Sequence, residues 1–124
     1  METTTRTELL PGTLELLILK ALVHGSNHGY GIAQWIKSVS DAVLEVGESS
    51  LYPALQRLML DGSVKWEWRA SENNRRARYY TLTAVGRKHL TAEREQFQRT
   101  VGAIQRILEA LGAEARVFAE MKSG

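Results

Sequence analysis

Residues 49–58, SSLYPALQRL, decide how this 124-residue sequence folds. At about 100° per residue in a helix, the apolar side chains of this stretch share one face, with Met59 at its edge. These apolar residues are Leu51, Ala54, Leu55 and Leu58. The remaining positions are mostly polar and fall outside that face: Ser49, Ser50, Tyr52, Pro53, Gln56, Arg57 and Leu60. The stretch therefore predicts an amphipathic helix with one face in the core and one in solvent.

Two signals mark the start of this helix. The hydroxyl of Ser49 or Ser50 would act as the N-cap and accept a hydrogen bond from a free backbone N–H. Pro53 would then lie in the first turn, where its missing N–H breaks no helical hydrogen bond. We expect the helix to end at residues 61–62, Asp-Gly.

Two more helices are predicted upstream. Apolar residues recur at helical spacing from Leu14 to Leu22, and Gly25 would end this first helix. Residues 26–29 read as a turn. The second helix carries its apolar stripe at Ile32, Trp35, Ile36 and Val39.

The segment after the third helix predicts a β-hairpin. Val64, Trp66 and Trp68 alternate with charged residues, which is the two-residue period of a half-buried strand. We therefore expect both tryptophans to pack on the core side. Residues 71–74 form the turn, and residues 78–82 form the returning strand.

A long helix would follow, with Thr83 as its N-cap. Its apolar residues recur every seven positions, and a second set of apolar residues lies between them on the same narrow stripe. This heptad pattern favours pairing with another helix over burial in a small domain. The dimerisation residues predicted on this stripe are Leu90, Phe97, Val101, Ile104, Leu108 and Leu111. An aromatic residue in the middle of the stripe, Phe97, could face its symmetry mate across a dimer axis, and the two rings could then hold a flat aromatic effector between them.

The predicted fold class is mainly α with a small β-hairpin (α+β). Three helices followed by a hairpin is the order of a winged helix-turn-helix, in which the third helix enters the DNA major groove and the hairpin is the wing. We expect residues 1–83 to form this DNA-binding region. Residues 84–124 would form a long C-terminal dimerisation helix, within one compact unit.

The charge distribution points to the same partner. The net charge is only +2, but residues 64–88 carry seven basic and two acidic groups, whereas residues 1–63 sum to −3 and residues 89–124 to zero. Phosphate neutralisation depends on the groups in contact and not on the total charge. A charged hairpin that is merely solvated is the alternative explanation.

The exposed residues of the third helix and of the wing have the side chains that DNA recognition needs. Gln56 suits a paired contact to adenine, and Arg57 suits guanine or a phosphate. The serine and tyrosine hydroxyls suit phosphates. The wing residues predicted to reach a minor groove or its phosphate walls are Asn74, Arg75, Arg76 and Arg78.

Three motifs resemble the PadR family of bacterial transcriptional regulators: HGYGI at residues 28–32, SSLYPALQRL at 49–58 and RRARYYTLTAVG at 75–86. The resemblance covers about residues 10–111. It implies a homodimeric winged-helix repressor in which Tyr30 and Tyr52 contact the DNA backbone. It is closer to the shorter branch of the family, some of whose members sense aromatic molecules at the dimer interface. Residues 59–60 and the turn at 71–74 depart from the family pattern.

Other classes of function find little support in the sequence. Cysteine is absent, and no nucleophile motif, carboxylate pair or phosphate-binding loop is present, so we expect neither an enzyme nor a cofactor. His24 and His28 have metal-ligand spacing, but Gly25 interrupts the helix between them. His28 is then a turn residue or a phosphate contact. The chain shows neither a signal peptide nor an apolar run of membrane length, so we expect a cytoplasmic protein with no membrane contact.

The sequence therefore favours a homodimeric, sequence-specific DNA-binding regulator that occludes an inverted-repeat operator in double-stranded DNA. Release by a small-molecule effector is part of this hypothesis. The main alternative is a winged-helix module that binds another protein and not DNA, with the heptad helix as its surface. A small-molecule binder without DNA function is the third class, and it would not need a basic wing.

Overall fold

The computed structural model describes residues 12–123 of the chain. The chain divides into two compact units, one up to Glu93 and one from Arg94. The helices are α1 (Thr13–Ala21), α2 (Gly29–Val39), α3 (Glu48–Leu60), α4 (Ala84–Leu108) and α5 (Ala113–Ser123). The strands are β1 (Asn27–His28), β2 (Val64–Ala70) and β3 (Arg76–Leu82), which form an antiparallel sheet in the order β1-β3-β2. This is the predicted fold class, with its three helices, hairpin and long helix.

The core of the first unit lies between the first three helices and the base of the hairpin. The four apolar residues predicted for the inner face of α3 are all buried: Leu51, Ala54, Leu55 and Leu58. They pack with Ile18, Leu19 and Ile32 from α1 and α2. Because each fully buried Leu or Ile side chain contributes about 1.5–3 kcal/mol, this burial fixes which face of α3 points outward.

The predicted start of α3 is wrong by two or three residues. The helix begins at Glu48, and the N-cap is Gly47, whose backbone is extended and makes no side-chain cap. The Gly47 carbonyl accepts from the Leu51 N–H at 2.9 Å, which is the first hydrogen bond of the helix. Pro53 is therefore the sixth helical residue and lies in the second turn. Its missing N–H leaves the carbonyl of Ser49 without a helical donor.

A third strand occurs where the sequence predicts a turn. Asn27 and His28 form β1 and pair with Tyr80 and Tyr79 of β3. Two residues are too few to show the alternation that identifies a strand. The strand exists because the long-range pairing with β3 supplies its hydrogen bonds.

The hairpin extends beyond the core, so its two tryptophans differ in burial. Val64 is buried and Trp66 is partly buried against the core. Trp68, which was predicted to pack on the core side, is 50% exposed. Val39, predicted on the buried stripe of α2, is also exposed. Each lies close to the end of its element, past the point where the core can cover it.

Thr83 caps α4 as predicted. Its hydroxyl oxygen accepts from the Gly86 N–H at 3.0 Å, and the hydroxyl lies 2.6 Å from the Gly62 carbonyl oxygen, to which it donates. The cap therefore ties the first turn of α4 to the loop that follows α3. Leu90, predicted as a dimerisation residue, packs against the core of the first unit.

The C-terminal segment forms two helices where one was predicted. α4 ends at Leu108, and α5 begins at Ala113 after Gly112, whose φ of +61° suits glycine. Leu111 consequently lies in the connection and not on a helix. Phe97, Ile104 and Leu108 are exposed on α4, whereas Val101 is partly buried. No helix within residues 12–123 is both long enough and apolar enough to cross a membrane.

Candidate nucleic-acid interface

The outward face of α3 carries polar side chains, as predicted. Ser49, Ser50, Tyr52, Pro53 and Gln56 are all exposed. Across the described part of the chain, the Gln56 amide makes no hydrogen bond. Its donors and acceptor are therefore free for an external partner.

Arg57 lies on the same helix but is already paired. Its Nε donates to Glu15 Oε2 of α1 at 2.8 Å. This hydrogen bond and the charge of Glu15 raise the pKa of Arg57. In this structure Arg57 therefore connects α3 to α1. For the predicted contact with guanine or phosphate, Arg57 would have to leave Glu15 or bind both groups at once.

The motif at residues 27–31 sets the start of α2. His28 is its N-cap, and the ring Nδ1 accepts from the Gly31 N–H at 3.0 Å. Because Nδ1 accepts, the neutral ring carries its hydrogen on Nε2, which remains a donor. Asn27 Oδ1 accepts from the His28 N–H at 2.9 Å. A Cβ on Gly31 would overlap the Asn27 side chain, so a larger residue there would displace the group that accepts from the His28 N–H.

Gly29 brings α3 against the start of α2. A Cβ at this position would lie 2.6 Å from the Tyr52 hydroxyl oxygen and 3.0 Å from its ring. The absent side chain thus leaves the space that Tyr52 occupies. Burial, followed by the effects of Tyr80 and Glu48, raises the pKa of Tyr52.

Tyr30 projects from the first turn of α2 and is 69% exposed. Its hydroxyl oxygen accepts from Gln34 Nε2 at 2.7 Å. The hydroxyl hydrogen therefore remains free to donate to an acceptor outside the protein, such as a phosphate oxygen.

A row of rings connects α2 to the sheet. The His28 ring lies nearly parallel to Tyr30 at 6.4 Å and edge-on to Tyr79 at 5.2 Å. Arg69 Cζ lies 5.3 Å from the Tyr79 ring centroid. Arg69 is also paired with Glu67 at 2.8 Å, which lowers the pKa of that carboxyl group.

The sequence interpretation did not assign Tyr79 and Arg69 to the site. The register of the two strands is what places them together. Glu67 pairs with Tyr79 and Arg69 pairs with Ala77, so Arg69 and Tyr79 lie on the same face of the hairpin as diagonal neighbours. That register depends on where the turn is placed. His28, weighed as a phosphate contact, does lie in this row.

The tip of the wing has a defined turn. The Asn74 N–H donates to the Ser71 carbonyl at 2.8 Å, and the Ser71 N–H donates to the Arg75 carbonyl at 2.7 Å. Asn74 has φ of +60°, a left-handed conformation that asparagine tolerates better than most residues. The tip therefore reverses direction without the glycine that such turns often contain.

A cleft of about 390 Å³ separates the wing tip from the start of α2. It is lined by His28, Tyr30, Glu72, Arg75 and Arg76, among others. Two arginines and two ring side chains with hydrogen-bond donors therefore border the same space as one carboxylate. The two cations outnumber the carboxylate, which suits an anionic ligand.

The three wing arginines keep their charge unpaired. Arg75, Arg76 and Arg78 are exposed, and within residues 12–123 none of them has an ion pair with a carboxylate. Arg76 and Arg78 stack on Trp68 and Trp66. The described residues contain no group of three or more His, Asp or Glu side chains placed to hold a metal ion.

Comparison with known proteins finds similarity to transcriptional regulators. The sequence model of the Transcriptional regulator PadR-like family matches residues 18–92. The structure is similar to that of a transcriptional regulator from Clostridium thermocellum, with 28% identity, a TM-score of 0.72, and coverage of 79% of this chain and 95% of that one.

Two other solved structures are similar. A PadR-like transcription factor from Bacteroides fragilis is 29% identical, with a TM-score of 0.62 and coverage of 77% of this chain and 90% of that one. PadR of Bacillus subtilis, solved in complex with operator DNA, is 26% identical with a TM-score of 0.58. That match covers 64% of this chain and 46% of the Bacillus subtilis chain.

The close approach at Gly29 gives a stability prediction. Gly29→Ala should destabilise the protein by about 1–3 kcal/mol, because the new methyl group overlaps Tyr52 and forces it to move. Ser38→Ala, at an exposed position of the same helix, is the matched control and should change stability by less than about 0.5 kcal/mol. Urea unfolding followed by circular dichroism measures both, and equal stability of the two variants would contradict the packing described for Tyr52.

Proposed function

Because the chain belongs to the PadR-like family of transcriptional regulators, we propose that it is a homodimeric repressor that binds an inverted-repeat operator through α3 and the wing. The family is one of regulators and not of enzymes. One observation carries the proposal: α3 buries its apolar face completely and presents the unpaired Gln56 amide outward. The tyrosines and the arginine-bearing wing stand in the same compact unit.

The side chains divide into those that position the protein and those that read bases. Tyr30 and Tyr52 have neutral hydroxyl donors suited to backbone phosphates. Ser49, Ser50 and Pro53 line the same exposed face of α3. Among them Gln56 has the paired donor and acceptor that match the major-groove edge of adenine.

The wing would follow the backbone beside the major-groove contact. Its residues proposed to contact DNA are Asn74, Arg75, Arg76 and Arg78. They carry exposed cations without carboxylate partners in the described chain, which suits phosphates or a narrow minor groove. Arg57 would contribute to DNA binding only if its guanidinium contacts Glu15 and the DNA at the same time. Bacillus subtilis PadR, solved with operator DNA, supports this use of the fold.

Dimerisation is proposed from the apolar surface of the second unit. Phe97, Ile104 and Leu108 on α4 and Leu111 after it are exposed, and Leu108 and Leu111 are each nearly 80% exposed. Such a run of apolar side chains marks an interaction surface. A second copy would bury it and place two α3 helices about one helical turn of DNA apart.

We further propose that the protein represses in the cytoplasm by occluding a promoter and leaves the DNA when a flat aromatic effector binds beside Phe97. Phe97 is partly exposed, so its ring is accessible to such a ligand. A series of planar aromatic compounds, added to the protein–DNA complex, tests this part. We expect at least one compound to release the wild-type protein from DNA without releasing Phe97→Ala. Equal release of the wild type and Phe97→Ala would contradict the role of Phe97.

The role of Gln56 predicts a change in base preference. Gln56→Ala should lose about 1–3 kcal/mol of discrimination at one base pair of each half-site while binding other sequences almost unchanged. Fluorescence anisotropy with a set of operator duplexes, each with one base pair replaced, measures this. An unchanged preference in Gln56→Ala would show that α3 does not read bases through this residue.

The dimer interface predicts the effect of a buried charge. Ile104→Asp should dissociate the dimer, because an unpaired carboxylate would be buried in the apolar seam. Gln105→Asp, at the next residue of α4, adds the same charge and should leave the dimer intact. Sedimentation equilibrium distinguishes the two results. A wild type that is monomeric, or an Ile104→Asp variant that remains dimeric, would contradict the interface.

A further inference from the structure

One face of the hairpin carries two tryptophans beside two arginines. In the strand register, Trp68 pairs with Arg78 and Ala70 pairs with Arg76. Residues paired across antiparallel strands project on the same face, so these side chains lie together. We refer to Trp66, Trp68, Arg76 and Arg78 as the indole–arginine stack.

The distances define a connected arrangement. Arg78 Cζ lies 4.2 Å from the Trp66 ring centroid and 5.7 Å from that of Trp68. Arg76 Cζ lies 5.0 Å from the Trp68 ring centroid. The two indoles meet edge to face at 5.5 Å. Trp68 therefore contacts both arginines and the other tryptophan.

The stack begins in the core and reaches toward the wing tip. Trp66 is partly buried and packs against the core, whereas Trp68 is half exposed. Ala70 opposite Arg76 is small, which leaves Arg76 free to reach the diagonal neighbour Trp68. Trp66 thus fixes the base of the stack, and Trp68 extends it outward.

Stacking leaves the arginines able to bind an anion. In Arg57 and Arg69 a carboxylate takes the Nε–H donor and offsets the positive charge. An indole face attracts the cation without cancelling its charge and without taking its N–H donors. Arg76 and Arg78 are therefore restrained and unpaired at the same time.

We propose that Trp68, supported by Trp66, is a positioning residue for DNA binding that holds Arg76 and Arg78 ready for phosphates. An arginine side chain that moves freely in the unbound protein loses conformational entropy when an interface immobilises it. Two side chains already restrained on indoles lose less. This inference rests on the proposed function, because it concerns how the wing contributes to the same DNA contact.

The test compares Trp68→Leu with Trp68→Phe by fluorescence anisotropy. The probes are a labelled duplex of about 30 base pairs from the DNA upstream of the gene, long enough for two half-sites, and an unrelated duplex of equal length. Trp68→Leu removes the ring and should weaken binding to both duplexes about three- to fivefold. Trp68→Phe keeps an aromatic face and should stay within about twofold of the wild type.

A double-mutant cycle shows whether Trp68 acts through the arginines. In an Arg76→Ala, Arg78→Ala background, Trp68→Leu should change affinity by less than about 1.5-fold, because the groups it positions are gone. A loss there as large as in the wild type would show a general structural effect and overturn the positioning role. So would wild-type affinity in Trp68→Leu.

Two measurements separate this inference from the proposed function. Absence of salt-dependent binding by the wild type would overturn the proposed function, and the positioning role with it. Binding by the wild type that is weakened by the arginine variants but not by Trp68→Leu would overturn the positioning role alone. In the free protein, NMR should show ring-current shifts of the Arg76 and Arg78 side-chain protons that Trp68→Leu reduces. Unshifted resonances in the wild type would contradict the stack.

Discussion

The burial of four side chains on one face of α3 is the constraint on which the rest of the structure depends. Leu51, Ala54, Leu55 and Leu58 are almost completely inaccessible to solvent. A rotation of α3 by even one residue position would expose some of them and bury polar groups in their place, at several kcal/mol. The exposed face, which carries Gln56, therefore has a single orientation. The proposed interface with DNA is in this sense a consequence of the core.

Close contact between α2 and α3 makes that orientation precise. Gly29 leaves room for Tyr52 of α3, and His28 caps the helix from which Tyr30 projects. The His28 ring also contacts Tyr79 of β3. The start of α2 is thus the point at which α3 and the sheet meet, and the two exposed tyrosines keep a fixed relation to Gln56.

The sequence was sufficient for features that depend on local periodicity, and insufficient for those that depend on long-range contacts. The inner face of α3, the hairpin and the Thr83 cap follow from spacing and residue type. The strand β1 does not, because its hydrogen bonds come from β3. Likewise the pairing of Arg57 with Glu15 joins residues 42 positions apart. Trp68 was misjudged because alternation tells which side of a strand a residue takes and not how far the core extends.

The arginines fall into two groups, according to whether a carboxylate is paired with the guanidinium. The net charge of the chain does not show this difference. Arg57 and Arg69 are paired with carboxylates of the same fold, whereas the wing arginines have no carboxylate partner in the described chain and are proposed to bind an anionic partner. The direct test is the salt dependence of binding to the DNA upstream of the gene, followed by fluorescence anisotropy. If the interface is correct, the logarithm of the association constant falls linearly with the logarithm of salt concentration, by about 0.9 for each phosphate contacted, and Arg75→Ala makes that slope shallower by about 1. No binding at low salt, or a slope that Arg75→Ala leaves unchanged, would contradict the assignment of this surface to DNA.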